Sequence, residues 1–425
     1  MALASPHRAL DQPVVDEGIR WLNYFNGRVL SAEDLRTEQG AISEARRQLG
    51  RAIGSGVVSG FEVGEAMLTS TPGAPILSVR AGLAFNDDGR AIELGRSITI
   101  GLVRVDAPTG DAAGAFRDCD IVLPGTTGRG VYLLTVGPAA ADVGKAPVAG
   151  LGNEPAACNT AYSVEGVRFR LFPVPLEDGD DDEPDLLRNR IAYRMYAAAD
   201  PARDASIVDP SGSLARTPTL LDELRRICYG SADVPLAVLH WKPVDGIRFV
   251  DEWSVRRRPI APSPSGGRPS PWGRARLAEG EAMALQFRAH LRDLARTVTR
   301  PDRLRADAHF RHLPPVGVLP LHARPMRGFE YGAFFADQPT RGPAFIEGTH
   351  LAGLFAEALT YAPIDLSRGE AIWLYQVREN VQHVRTGGAP RVAECVVFST
   401  GHLRYRADAR FELAYWNHAN FAEIG

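Results

Sequence analysis

Two histidines in the stretch HFRH, His309 and His312, have the spacing of a possible metal site. Because they are three residues apart, they could share one face of a helix and hold a metal ion between their imidazoles. The Leu-Pro-Pro that follows them disfavours a helix, and the neighbouring sequence offers no acidic third ligand. We therefore predict no metal at this position and no cofactor for the chain.

The four cysteines are far apart and form no CxxC pair. Thiolate zinc sites place their cysteines in closely spaced pairs, which this sequence lacks. We expect reduced thiols rather than a zinc site or a disulfide framework at Cys119, Cys158, Cys228 and Cys395.

The acidic run from Glu177 to Asp185 has carboxylates at alternate positions, as calcium-binding loops do. An EF-hand loop that began at Asp178 would need glycine at its sixth position and glutamate at its twelfth. Those two positions hold Glu183 and Asn189. The run therefore indicates a solvated linker, and cation binding is the alternative.

Compact catalytic motifs are missing from the sequence, which has no phosphate-binding P-loop, no HExxH and no GxSxG. A glycosidase pair could still come from acids in distant segments, and tryptophans could form a platform for sugar rings. Strand residues flank most of the tryptophans, so core or interface use is favoured for Trp241, Trp253, Trp272, Trp373 and Trp416. We predict no catalytic residue and no enzymatic activity.

The charge balance and the apolar pattern argue against two classes of partner. The net charge is -3 and the pI is near 6.4, whereas general nucleic-acid binding needs a basic surface. No apolar run is long enough to span a membrane, and residues 1–18 lack the apolar core of a signal peptide. We expect a protein made in the cytoplasm that neither binds nucleic acid nor inserts into a membrane.

The most strongly specified element is a helix that begins after Ser31. Ser31 and Asp34 have capping-box spacing, an aromatic strand is expected before the helix, and a glycine-rich exit ends it. Leu35, Ile42 and Leu49 recur every seventh residue and form a narrow apolar stripe on a charged helix. The stripe packs against its own domain or, alternatively, against a neighbouring subunit, which makes its three residues interface candidates.

A second apolar seam runs along the helix expected at the start of the C-terminal domain. Its residues recur in alternating three- and four-residue steps, as in coiled coils: Ala284, Phe287, Leu291, Leu294 and Val298. We expect this seam to pack on the sheet of its own domain, with a helix of another chain as the alternative. In that second case Phe287, Leu291 and Leu294 are further interface candidates.

Residues 60–175 have the pattern of β-strands. A hairpin is predicted around the turn at residues 87–89. Residues 139–160, which lie between two further strands, are small and polar and predict a long exposed loop.

These elements predict a multi-domain α+β fold with an N-terminal capped helix, a mostly antiparallel, sandwich-like middle and a C-terminal α+β unit whose sheet is antiparallel. The predicted units are a strand-helix attachment segment (1–63), a β-rich domain (64–176), helices plus a β-hairpin that complete the first body (185–260), a Pro/Gly/Ser linker (261–274) and the C-terminal domain (275–425).

The opening stretch resembles the N-terminal signature of a family encoded among contractile, phage-tail-like injection systems. The resemblance rests on an aromatic FNGR start, a helix that begins with AEDL and a GVVSG exit, at residues 25–28, 30–39 and 56–63. It continues in short islands: VRAGLAFNDDGRAIEL, VYLLTV, GIRFVDEWSVRR, HFRHLPPVGVLPL and IWLYQVREN. Phe61 departs from the family pattern, in which leucine is common. The family brings no catalytic residues and implies a role in particle assembly.

The resemblance therefore implies a non-enzymatic structural subunit, either associated with the baseplate or peripheral to it. Expected partners are baseplate, tube or sheath proteins and further copies of the chain. The protein would assemble in the cytoplasm and become part of a tail-like particle. That particle would either stay in the cytoplasm or be released from the cell. Two alternatives are a particle-carried cell-wall or polysaccharide hydrolase and a receptor- or glycan-binding module.

Overall fold

The computed structural model describes residues 15, 18–66, 75–102, 130–147, 158–177, 180, 183–196, 218–242, 245–260, 274–321, 328–348, 351–378 and 392–401. The helices are α1 (Ala32–Ile53), α2 (Pro184–Met195), α3 (Leu220–Leu224), α4 (Arg274–Thr297), α5 (Tyr331–Phe334) and α6 (Leu351–Ala358). A π-helical turn (Arg225–Tyr229) extends α3, and short 3-10 turns cover Pro301–Arg303, Ala306–Ala308 and Leu366–Arg368.

The strands of the described residues lie in five small sheets. They are β1 (Gly56–Gly60), β2 (Val63–Glu65), β3 (Ile76–Val79), β4 (Gly82–Phe85), β5 (Ala91–Leu94), β6 (Ile98–Gly101), β7 (Gly130–Pro147), β8 (Cys158–Pro173), β9 (Val234–Lys242), β10 (Gly246–Asp251), β11 (His312–Leu313), β12 (Val316–Pro320), β13 (Thr340–Glu347), β14 (Ile364–Asp365), β15 (Ile372–Arg378) and β16 (Val392–Ser399). The predicted α+β fold is confirmed. The C-terminal sheet is mixed rather than antiparallel, because β13 runs parallel to β15.

The four-stranded sheet β10-β9-β7-β8 is the centre of the first body. Alternate side chains of β7 point to opposite faces of this sheet. Tyr132 and Leu134 enter a core shared with the sheets β1-β4-β5 and β2-β3-β6, so two layers of strands pack face to face. Val131 and Leu133 pack against α2 and α3 on the other face.

Strands β7 and β8 form a hairpin that is much longer than the sheet to which it belongs. β9 pairs with β7 only from Gly130 to Val136, whereas the β7–β8 register runs on to Pro147 opposite Cys158. The predicted loop at residues 139–160 is therefore wrong for its described part. Both faces of this extension are exposed. Backbone hydrogen bonds pair its two strands, and such pairing does not require apolar and polar residues to alternate in the sequence.

Helix α1 begins and ends where the sequence predicts. The Ser31 hydroxyl accepts from the Asp34 amide, the Asp34 carboxylate accepts from the Ser31 amide, and Gly54 caps the C-terminus at φ 97°. The predicted strand before α1 is wrong, because residues 18–30 form an irregular segment with a turn at 26–27. No described partner strand is hydrogen-bonded to that segment, so its aromatic residues do not produce a strand.

The C-terminal end of α1 docks closely on the β-domain. Gly50 lies directly against the backbone of Gly89, in the turn between β4 and β5, and a Cβ at position 50 would overlap the Gly89 carbonyl. The Arg51 guanidinium donates to the neighbouring Asp88 carbonyl at 3.3 Å. Close backbone approach explains why this part of the sequence is rich in glycine.

The C-terminal unit is built around α4 and the mixed sheet. Phe287, Leu291 and Leu294 project from α4 into an aromatic core, where the Phe287 ring lies 5.2 Å from those of Phe310 and Phe398. The second seam thus packs within its own unit, as its first interpretation expected. The residue pattern of the sequence also predicts a strand at residues 409–417, which lie outside the described residues.

A buried polar cluster joins this unit to the first body. The Asp251 carboxylate, at the end of β10, accepts from Arg188 of α2 at 2.7 Å and from Gln286 of α4 at 2.8 Å. Arg188 also donates to Asp293 of α4 at 2.8 Å, and the Ser254 amide donates to Asp251 at 3.1 Å. One carboxylate therefore holds three elements from both sides of the predicted linker.

Asn189 adds a second connection from α2. Its side chain accepts from the amides of Arg311 and His312 and donates to the His312 carbonyl, all within 3 Å.

The predicted domain boundaries stay predictions. Except for Arg274, the predicted linker lies outside the described residues.

We expect Gly50→Ala to weaken the docking of α1. The new methyl group meets the Gly89 backbone, and such overpacking costs about 1–3 kcal/mol. Gly40→Ala is the matched control, because position 40 is in the same helix and faces open space, and alanine there adds up to about 1 kcal/mol of helix stability. Urea unfolding and amide hydrogen exchange in α1 measure the difference. Equal effects of the two substitutions would contradict the close contact.

We expect Arg188→Met to lower the free energy of unfolding by about 3–5 kcal/mol, because it leaves the buried Asp251 carboxylate without its charged partner. Arg258→Met is the control, since Arg258 pairs with Glu281 at the surface and such pairs contribute about 1 kcal/mol or less. Chemical denaturation of both variants decides the matter. A small loss from Arg188→Met would mean that the cluster does not join the two parts.

Candidate functional site

The N-terminal part of the chain exposes an unusual number of large apolar side chains. We call these residues the N-terminal apolar surface: Trp21, Tyr24, Phe25, Val29, Leu30, Leu35, Ile42, Leu49 and Ile53. Isolated exposed apolar residues are ordinary, whereas clusters of this kind mark contacts with other molecules. Three aromatic residues, each more than half exposed, make this segment the strongest candidate for an interaction site.

Polar contacts hold the aromatic segment beside the first half of α1. The Leu22 amide donates to the Glu38 carboxylate at 3.1 Å. The Arg28 guanidinium donates to Asp34 at 2.6 Å and lies 5.8 Å from the centre of the Phe25 ring. The aromatic side chains are thus fixed next to the helix rather than buried beneath it.

Asp34 is the electrostatic anchor of this arrangement. The Ser31 amide and hydroxyl and the Arg28 guanidinium donate to its carboxylate, and these contacts lower the pKa of Asp34 to about 2 from its ordinary value of 3.8. The charged form is therefore favoured at the N-terminus of α1, where the helix dipole also favours it.

The predicted stripe on α1 is not covered by the described part of its own chain. Ile42 is 38% exposed and Leu49 is 68% exposed, and Leu35 is about half exposed. The buried residues of α1 are Ala41 and Gly50, which do not belong to the stripe. The expectation that the stripe packs against its own domain is thus wrong for the described residues. All three residues remain candidates for a contact with another chain.

The second group of interface candidates lies inside the protein. Phe287 is 1% exposed, and Leu291 and Leu294 are also buried, so these side chains are not on the surface of the chain. The two seams have similar periodicity but opposite environments. Of the two groups of interface candidates, only the residues of α1 therefore lie on the surface of the described structure.

The two histidines of HFRH lie in a packed environment. His312 stacks on Tyr193 with ring centres 4.9 Å apart, and burial lowers its pKa to about 4. Burial also lowers the pKa of His309. Among the described residues, no group of three or more His, Cys, Asp or Glu side chains could hold a metal ion.

The thiols differ from the expectation of four reduced cysteines. Cys158 and Cys395 are free, whereas Cys228 is disulfide-bonded. The expectation is therefore wrong for Cys228.

Three carboxylates of the acidic run, those of Glu177, Asp180 and Glu183, are paired with arginines of α2. Asp180 is buried and lies 3.4 Å from Arg194, and its carboxylate accepts from the Glu177 amide. Glu177 contacts Arg194 at 2.9 Å, and Glu183 pairs with Arg190. The prediction of a solvated linker is wrong at Asp180, because this carboxylate is buried beside Arg190 and Arg194 of α2.

The described tryptophans from the sugar-platform hypothesis are part of packed regions. Trp241 is buried in the sandwich core, and Trp253 and Trp373 pack partly buried against other clusters. Trp272 and Trp416 lie outside the described residues.

Within the described part of the chain, no helix combines the length and apolar character needed to cross a bilayer.

A cavity of about 240 Å³ lies beside the C-terminal end of α1, with three arginines in its lining. Arg225 pairs with Asp87 at 2.9 Å, and Arg258 pairs with Glu281 at 3.0 Å. Arg257 donates to the carbonyls of Trp253, Ser254 and Arg256. Because these guanidinium groups already have partners within the chain, the cavity is a weaker candidate than the N-terminal apolar surface.

Comparison with models of known protein families gives no match, and comparison with curated proteins finds no significant similarity. The resemblance to injection-system proteins therefore stays an expectation.

Sequence reasoning found the α1 stripe but did not single out the aromatic half of the surface. Tyr24 and Phe25 fall in the segment for which the sequence predicts a strand, and Trp21 precedes that segment. Three aromatic residues within five positions, beside a helix with its own apolar stripe, are the signal that could have identified them. Periodicity could not identify these aromatic residues as surface residues, because the segment to which they belong is irregular.

We expect the carboxyl group of Asp34 to titrate near pH 2 in the folded protein. Since its folded pKa lies below the unfolded value, its stabilising effect is complete above about pH 4 and is lost as the pH falls through 2. Carbon NMR of labelled protein measures this pKa. Ser31→Ala, which removes the hydroxyl, should raise it toward 3.8, and an Asp34 pKa near 3.8 in the unchanged protein would contradict the capping geometry.

Proposed function

We propose that the protein is a non-enzymatic structural subunit of a contractile, phage-tail-like injection particle. The N-terminal apolar surface is its attachment site. The observation that carries this proposal is the exposure of the α1 stripe together with the neighbouring aromatic segment.

The physical argument starts from the cost of exposing apolar surface. Each exposed large side chain that becomes buried contributes up to about 1.5–3 kcal/mol, which favours a partner over water. A helix fixed at one end by Gly50 and presenting apolar residues outward is suited to bind a neighbouring subunit in a particle.

The sequence resemblance suggests which assembly would supply that neighbour. Its strongest island, at residues 25–63, overlaps the segment that carries the exposed surface. Baseplate, tube and sheath proteins are the proposed partners, together with further copies of the chain. Assembly in the cytoplasm, followed by retention in or release with the particle, is part of the same proposal.

Particles purified from producing cells provide the test. We expect the chain to sediment with the sheath and tube proteins and Ile42→Asp to abolish most of this association, because a charge in an apolar contact is costly. Leu277→Asp is the matched control, since Leu277 also lies on a helix and is also 38% exposed.

We expect both variants to remain folded, since substitutions at partly exposed positions usually change the free energy of unfolding by about 1 kcal/mol or less. Circular dichroism and thermal unfolding check this point. Absence of the unchanged chain from particles that contain sheath and tube would refute the particle assignment. Equal incorporation of both variants would refute the role of the surface.

A further inference from the structure

Helix α1 has an uneven charge distribution along its length. Its first half has three acidic residues and one arginine, whereas its second half has three arginines and one acidic residue. The charged residues of the first half are Glu33, Asp34, Arg36 and Glu38, and those of the second half are Glu44, Arg46, Arg47 and Arg51. The two halves therefore have net charges of −2 and +2.

The apolar stripe is symmetrical about its middle residue. Leu35 precedes Ile42 by seven residues, and Leu49 follows it by seven. If two copies of α1 run antiparallel with Ile42 facing Ile42, each Leu35 meets the Leu49 of the other copy. In the same register each acidic half lies beside a basic half, and the two helix dipoles are also opposed favourably.

We propose that the N-terminal apolar surface binds a second copy of this chain, with the two α1 helices antiparallel about a two-fold axis near Ile42. A parallel arrangement would place the two acidic halves together and the two basic halves together. Charge complementarity thus selects both the partner and its direction. This inference rests on the proposed function, because it names the first neighbour that the attachment surface binds.

The contact of α1 with its own β-domain leaves the stripe accessible. Gly50 is buried against Gly89, yet the adjacent Leu49 is the most exposed residue of the stripe. Ile53, at the same end, is also exposed. Docking on the β-domain therefore fixes the helix while its apolar stripe faces outward.

The aromatic segment extends the proposed contact beyond the stripe. The hydrogen bond between the Leu22 amide and Glu38 keeps this segment beside the first half of α1. In an antiparallel pair, the first half of one helix lies against the second half of the other. Trp21 and Phe25 of one copy would then be near the exposed Leu49 and Ile53 of the other, which provides apolar partners for both groups.

Cysteine cross-linking of the full chain tests both the partner and its direction. The background variant is Cys158→Ser, because Cys158 is an exposed free thiol. A short bifunctional maleimide is suitable, since packed helix axes lie about 8–10 Å apart. We expect Ile42→Cys to give at least about tenfold more cross-linked dimer than Leu277→Cys, because pairing raises the effective concentration of the two thiols.

The antiparallel direction requires a further pair of variants. Leu35→Cys and Leu49→Cys should each give little dimer alone, and co-expression of two differently tagged chains should give the mixed dimer. Self-cross-linking of each single variant would indicate parallel helices and overturn the proposed direction. Failure of all three positions to exceed the Leu277→Cys control would overturn self-pairing.

These results are separable from the particle experiment. If no dimer forms but Ile42→Asp is still lost from particles, the surface binds a different particle protein and only the self-pairing inference fails. If the expected dimer forms but the chain is absent from particles, self-pairing stands and the particle assignment fails.

Discussion

The carboxylate of Asp251 is the point on which the arrangement of the larger elements depends. It lies at the end of β10, out of contact with solvent, and accepts hydrogen bonds from Arg188 and Gln286. A buried charge is costly unless it is fully paired, so these donors must be held in place. Because they belong to α2 and α4, the central sheet and the C-terminal unit take one relative position rather than several.

Helix α1 is held by a different kind of contact. Its C-terminal end lies against Gly89 through backbone atoms, whereas most of its apolar side chains remain outside the cores of the protein. The two modes of attachment have different consequences. Side-chain burial makes α4 part of the body, while backbone contact at Gly50 positions α1 and leaves its stripe exposed.

Local signals in the sequence predicted much of the fold. The capping box at Ser31 and Asp34 and the hairpin turn at residues 87–89 both occur as predicted. The long β7–β8 hairpin could not be predicted in this way. Its outer part is stabilised by backbone pairing between exposed strands, which requires no apolar alternation in the residues themselves.

The candidate site likewise has some features that the sequence predicts and others that only the tertiary structure decides. The sequence by itself determined that α1 and α4 are helices with narrow apolar seams, because caps and periodicity are local properties. Only the tertiary structure decided that Phe287 lies in a core and that Ile42 lies at the surface. The physical reason is that burial depends on which elements surround a side chain. Aromatic residues from distant segments surround Phe287, whereas the contact of α1 at Gly50 leaves Ile42 partly exposed.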